Sequence, residues 1–129
     1  DDGIDWNKKG IVCIPPIHNY EATARPSVFK HQNKYIMLYS KRDLREFRHN
    51  KKFSYRAGIA LSDDGISWTR KDESLDFSPS EQGWDDSAIA YPYANIFQDS
   101  LRIFYNGNGF GKTGFGFAEF KLDEIEKIF

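Results

Sequence analysis

The sequence predicts an all-β protein built from propeller-like blades, on three observations. Aromatic residues fill 16% of its 129 positions, led by 11 Phe and 7 Tyr, a load that suits the pleated surface of sheets. A block recurs: Asp1-Asp2-Gly3-Ile4-Asp5-Trp6-Asn7-Lys8-Lys9 returns as Asp63-Asp64-Gly65-Ile66-Ser67-Trp68-Thr69-Arg70-Lys71. Two further elements recur in the same order. Pro26 precedes Tyr39 by the same spacing as Pro92 precedes Tyr105, and Gly58-Ile59-Ala60 is matched by Gly116-Phe117-Ala118. Self-similarity at this period marks repeat architectures, and four strands per repeat make a blade.

The elements follow in order. Pro26 to Lys30 reads as a short strand, 31–34 as a turn and Tyr35 to Ser40 as its hairpin partner. Tyr55 to Ser62 is the third strand, with Gly58 where a ring or backbone comes close. Asp63-Asp64-Gly65 is a turn, because Gly accepts the positive φ that tight turns demand, and Asp1-Asp2 is its copy. Ser67 to Lys71 is the fourth strand, so Trp6 and Trp68 should sit in equivalent places. The second repeat supplies strands at 89–97, 101–105 and 114–120. Apolar positions 122, 125, 128 and 129 have helical spacing, which predicts a short C-terminal helix. The chain is therefore expected to be one partial propeller domain, 1–129, with repeat units at roughly 1–62 and 63–129. Propellers carry roughly four to eight blades. About two blades imply either a piece of a larger protein or a homo-oligomer that covers the open faces.

Composition excludes several functions. A net charge of −1 and a pI near 6.3 do not advertise nucleic acid or an anionic membrane. No apolar run reaches membrane-spanning length. The absence of a signal peptide slightly favours the cytoplasm. The basic run from Lys41 to Lys52, broken by Asp43 and Glu46, reads as a solvated loop. The single Cys13 excludes an internal disulfide, and its apolar run Ile11–Ile14 points to a buried thiol. His18, His31 and His49 lack metal-ligand spacing, so no metal and no cofactor are expected. The stretch 109–114 satisfies G-x-G-x-x-G and contains Gly111-Lys112-Thr113. A nucleotide site would need a helix immediately after it, and 115–120 instead alternates like a strand. The glycines are expected to let aromatic rings and backbones pack closely.

The blade pattern, a hairpin followed by Gly-Ile-Ala-x-Ser-Asp-Asp-Gly-Ile-x-Trp, resembles the five-bladed propellers of glycoside hydrolase families 32, 43 and 130. Three stretches carry the likeness further, into bacterial glycosidase-like proteins: Glu21 to Val28, Gly83 to Pro92, and Tyr105 to Gly116. The resemblance covers nearly the whole chain and is to the C-terminal part of such proteins. It implies a central funnel with a carbohydrate site where the innermost strands converge. It also implies that the usual catalytic base stands on a blade outside this chain. Where those proteins often carry an acidic residue after Trp-Asp-x, this sequence has Ser87.

Glycosidases work with two carboxyl groups astride the bond to be cleaved. Glu21, just before the first innermost strand and near Arg25, and Asp85 and Asp86, just before the equivalent strand, are the catalytic candidates. The same residues also serve as loop caps, which Asp does often. Arg25 and Tyr91 precede equivalent prolines and could clamp a sugar hydroxyl and stack on a sugar face. Asn106 and Asn108 could donate to and accept from sugar hydroxyls, or shape a turn. The reading is part of a glycosidase-like propeller that binds or acts on a carbohydrate. The alternative is a non-catalytic carbohydrate-binding or structural β module.

Overall fold

The computed structural model describes residues 3–128. The expected turn at Asp1-Asp2 and the last apolar position of the terminal helix, Phe129, lie outside the described residues. Among the described residues, seven strands form two antiparallel sheets. The first runs β1 (Glu21–His31), β2 (Lys34–Asp43), β3 (Arg56–Ser62) and β4 (Thr69–Arg70) in spatial order. The second runs β5 (Ala90–Phe97), β6 (Ser100–Asn106) and β7 (Phe115–Lys121). Each sheet opens with a tight hairpin, and Gln32 and Gln98 take positive φ at the two tips.

Alternation assigns the faces. Ile36 and Leu38 of β2 and Ile59 and Leu61 of β3 point at Ala94, Leu101 and Ile103 of the second sheet, and together they form the shared core. The intervening Met37 and Tyr39 point the other way, onto Ala60, Ile14 and Trp68. This two-faced strand explains why 36–40 is an unbroken buried run. Serine hydroxyls pin the sheets together: Tyr91 N–H donates to Ser40 Oγ (2.8 Å) and Ala94 N–H to Ser27 Oγ (3.1 Å). The predicted C-terminal helix forms at Leu122–Glu126 and plugs Ile125 into the shared core.

Glycine sites follow close approach. A Cβ on Gly58 would lie 2.5 Å from the Tyr39 ring, and one on Gly116 2.8 Å from the Trp84 ring. Asp64 caps its turn, accepting from Ile66 N–H (2.8 Å) and Ser67 N–H (2.7 Å), which holds its carboxyl down at about 2.

The structure corrects four expectations. Trp6 is 79% exposed, whereas Trp68 packs partly buried on the first sheet. Residues 3–20 form no strand, so the first copy of the block lacks the neighbour that β3 gives the second. For the same reason Cys13 is exposed, and only Ile14 of its run reaches the core. The first strand begins at Glu21 rather than Pro26, because a bulge lets it continue through Arg25-Pro26. The basic run is not wholly loop: β2 carries it through Asp43, and Lys51–Phe53 form a 3-10 turn.

Candidate functional site

The bulges organise one end of the sheets. In β1 the pairing slips between Ala24 and Ser27, and in β5 between Ala90 and Tyr93. Arg25 and Tyr91 occupy these slips with φ of 56° and 58°, each directly before a proline. The left-handed region costs an L-residue about 1–2 kcal/mol, and such strain persists where the surroundings over-determine it. Among the described residues, six other than glycine have positive φ. Two are the hairpin tips, and the other four, Arg25, Glu46, Tyr91 and Phe110, surround a single cluster.

Tyr55 is its centre. It is buried and meets Phe47, Tyr91 and Phe110 edge-on at 6.0, 5.3 and 5.5 Å. Burial, and then the hydrogen bond from Tyr91, push the Tyr55 hydroxyl above its ordinary range, so it stays a neutral O–H. The guanidinium of Arg25 lies 5.1 Å from the Tyr91 ring centre, that of Arg42 4.0 Å from Phe47, and that of Arg48 4.9 Å from Phe47. Beside them opens a cleft of about 270 Å³ lined by Phe47, Arg48, Tyr55, Ser87, Asn108 and Phe110. Sequence reasoning missed Phe47, Tyr55, Phe110, Arg42 and Arg48. The signal available was Phe47 set among Arg42, Arg45 and Arg48 in a run read as loop, with Tyr55 three positions beyond its end.

The carboxylates divide. Asp86 sits at the cleft, where Lys51 Nζ (2.7 Å), Ser87 Oγ (2.7 Å) and Asn108 Nδ2 (2.7 Å) all donate to it. Chiefly through Lys51, these hold its carboxyl at about 2. Asn108 also accepts Ser87 N–H (2.8 Å) and Ala88 N–H (3.1 Å), so it ties the 83–88 loop to the β6–β7 connection. Asp85 is buried; the Tyr105 hydroxyl donates to its Oδ2 (2.6 Å), and its Oδ1 has no partner among the described residues. Trp84 stacks on Tyr105 at 5.1 Å. Its ring and carbonyl also fill the space that a Cβ on Gly107 would need. The glycine-rich stretch is thus a seat for Trp84. Gly109 and Phe110 wind left-handed within a tight turn at Asn108–Gly111, and a strand, not a helix, follows Lys112. Among the described residues the Asn106 side chain makes only a long hydrogen bond, Nδ2 donating to Phe110 O (3.5 Å).

Glu21 lies elsewhere. Its expected neighbour Arg25 is on Tyr91 instead, and Arg70 from β4 grips Glu21 with both nitrogens (2.7 and 2.8 Å). Arg70 also holds Asp72 (2.6 Å), which accepts from Tyr39 Oη (2.7 Å), Lys41 Nζ (3.0 Å) and Ile59 N–H (3.0 Å). The Arg70 hydrogen bonds bring the Glu21 carboxyl below its usual value. Tyr39 points away from the shared core, so this network caps the opposite face of the first sheet. Among the described residues no hydrogen bond or ion pair links Glu21 to Asp85 or Asp86. The structure brings together Arg25 with Tyr91, and Asp86 with Asn108.

Solved structures share this architecture. A glycoside hydrolase superposes with a TM-score of 0.67 at 19% identity, covering 84% of this chain and 35% of its own. The fold is that of the β-propeller glycoside hydrolases. A putative glycoside hydrolase from Parabacteroides distasonis matches with a TM-score of 0.63 at 18% identity, over 77% of this chain and 29% of its own. The protein BT0996, solved as a complex with RGII, matches at 0.64 and 19%, over 84% and 35%. No family model matches the sequence. The uncharacterized proteins MT1551 and Rv1502 of Mycobacterium tuberculosis are 33% identical over 120 residues, 91% of this chain. The chain spans 36% of the length of these curated relatives.

Proposed function

We propose that this chain forms part of a glycosidase-like propeller that binds a carbohydrate and, together with the further blades of a longer protein, hydrolyses it. The sugar would meet the chain at the bulged ends of β1 and β5. The observation that carries this reading is the matched pair of left-handed pre-proline residues, with the Arg25 guanidinium over the Tyr91 ring, beside an aromatic cleft. Strain of this kind gathers where ligands are clamped. An aromatic ring suits the apolar face of a sugar, and guanidinium and amide groups suit its hydroxyls. The carbohydrate complex of one structural neighbour is in keeping with it.

Hydrolysis needs a proton donor and a base or nucleophile. Asp86, with its carboxyl at about 2, is ionised at neutral pH and suits a base, a nucleophile or a hydroxyl clamp, not an acid. Glu21, gripped by Arg70, is also unsuited to giving a proton. Asp85 is the carboxyl of the three to test for proton donation. A second reading, carbohydrate binding without catalysis, is favoured by the engagement of both Glu21 and Asp86 with cations.

Calorimetric titration of the chain with a panel of saccharides tests the site. Binding that Arg25→Ala and Tyr91→Ala each weaken supports it. Binding of no sugar, or binding indifferent to both, overturns it. Turnover of aryl glycosides separates the two readings. This chain by itself is expected to cleave them poorly. In a longer protein of this kind Asp85→Asn and Asp86→Asn should each cost about 10²–10⁴ in rate if catalysis is right.

A further inference from the structure

The seven arginines fall into two groups. Arg45 pairs with Asp43, Arg70 with Glu21 and Asp72, Arg102 with Glu119, and Arg56 donates to the carbonyls of Lys51, Tyr55 and Ser87. Arg25, Arg42 and Arg48 have no carboxylate or carbonyl partner among the described residues. These three are also the ones seated on rings of the Tyr55 cluster. The cluster connects them: Arg25 covers Tyr91, Tyr91 meets Tyr55, Tyr55 meets Phe47, and Phe47 carries Arg42 and Arg48.

The three guanidinium groups lie over rings at 4.0 to 5.1 Å, and among the described residues no carboxylate or carbonyl occupies their N–H donors. That placement also removes side-chain freedom before any ligand arrives. A planar fork held this way fits the paired oxygens of a carboxylate, phosphate or sulfate. The nearby carboxylate at the cleft, Asp86, is already neutralised by Lys51 (2.7 Å), so it leaves the three arginines uncompensated. Two of the supporting positions, Arg25 and Glu46, are held in left-handed backbone, the second in the tight turn that presents Arg48.

We propose that the ligand of this site is an acidic sugar, one carrying a carboxylate or an esterified phosphate or sulfate, and that Arg25, Arg42 and Arg48 select for that anionic group. This rests on the sugar-site reading above and adds the ligand's charge to it.

The test is titration of the whole 129-residue chain at neutral pH and low ionic strength. The probes are galactose against galacturonic acid, glucose against glucose 6-phosphate, and inorganic phosphate and sulfate alone. At least one acidic sugar should bind about tenfold or more tighter than its neutral counterpart, the scale of one charge-assisted hydrogen bond. Added salt should erode that preference. Arg42→Gln and Arg48→Gln should each reduce it, and Arg42→Lys, which keeps the charge and loses the fork, should restore it only in part. Near-ultraviolet circular dichroism of the variants shows that the Tyr55 cluster is intact. Equal binding of neutral and acidic sugars overturns this proposal and leaves the sugar site standing. Binding of no sugar at all overturns both. Free phosphate or sulfate binding as tightly as the acidic sugars makes the arginines a bare anion site and overturns the proposal.

Discussion

The two sheets begin alike and finish differently. Both open with a hairpin, a left-handed pre-proline bulge and a glycine in the third strand under an aromatic ring. The first then adds β4 and seals its outer face with Glu21, Arg70, Asp72, Lys41 and Tyr39. The second stops at β7 and leaves Tyr93, Phe97, Phe115 and Phe117 exposed. In the first sheet the fourth strand delivers Arg70 to a charged network on the outer face, whereas the corresponding face of the described part of the second sheet carries aromatics.

The sharpest way to break this contrast is Asp72→Ala. Asp72 collects a phenol, an ammonium, a guanidinium and a backbone N–H. Its loss leaves Arg70 and Lys41 partly buried and short of a partner, a kind of change that costs about 3–5 kcal/mol. Chemical denaturation should show that loss, with Arg102→Ala on the second sheet, an exposed pair, costing at most about 1 kcal/mol. Similar losses from both would erase the distinction.

Gly107→Ala comes next. Its Cβ would collide with the Trp84 ring and carbonyl, and overpacking of this kind costs about 1–3 kcal/mol. The Trp84 fluorescence spectrum should shift as the ring leaves Tyr105. Gly114→Ala, with open space around it but a φ of 102°, should destabilise without that spectral change.

Acid separates the faces further. Burial pushes the Asp72 carboxyl up, but the hydrogen bonds from Tyr39, Arg70 and Lys41 outweigh it and leave it below its usual value. Glu21 is lowered too, by Arg70 first. A lowered folded-state pKa contributes stability that is present above the unfolded value, near about 4, and disappears as pH falls below it. Melting temperature should therefore drop from about pH 4 downward, and Glu21→Gln should flatten that limb. A limb unchanged by Glu21→Gln would remove the first sheet as its source. The bare face of the second sheet should instead show concentration-dependent self-association on light scattering, reduced by Phe117→Lys. A monomer at high concentration would count against it.

What could be read in the sequence was local. The hairpins, the Asp64 turn, the glycines under Tyr39 and Trp84, and the terminal helix each depend on residues a few positions apart or on a repeated spacing. What could not be read depends on distant partners. Glu21 and Arg70 stand 49 positions apart, and only the four-stranded order brings them together. Arg42 and Arg48 are seated on a ring close in sequence, Phe47, but the Tyr91 and Phe110 rings that complete the cluster come from β5 and the β6–β7 connection. Trp6 and Trp68 share one motif and differ in burial, since a strand pattern is buried only where a neighbouring strand exists. Asp85 and Asp86 were legible as a pair, but their division between a Tyr105 contact and a Lys51 contact was not.

The smallest expected effect tests the matched bulges themselves. Arg25 and Tyr91 have nearly the same φ, yet they differ in what a side chain contributes there. Arg25 is exposed and touches mainly the Tyr91 ring. The Tyr91 ring is half-buried and packs on Tyr55, while the bond to Ser40 comes from its backbone N–H and survives any substitution but proline. Arg25→Gly relieves about 1–2 kcal/mol of left-handed strain and gives back about 0.5–1 kcal/mol through the freer unfolded chain. The net change in stability should lie between about 0 and 1.5 kcal/mol on the stabilising side. Tyr91→Gly relieves the same strain but removes a buried aromatic contact, so it should destabilise. If the bulges clamp a ligand, Arg25→Gly will be neutral or stabilising in denaturation and still weaken saccharide binding. That combination separates strain kept for function from strain kept for folding. A destabilising Arg25→Gly would show that the arginine holds the bulge in place.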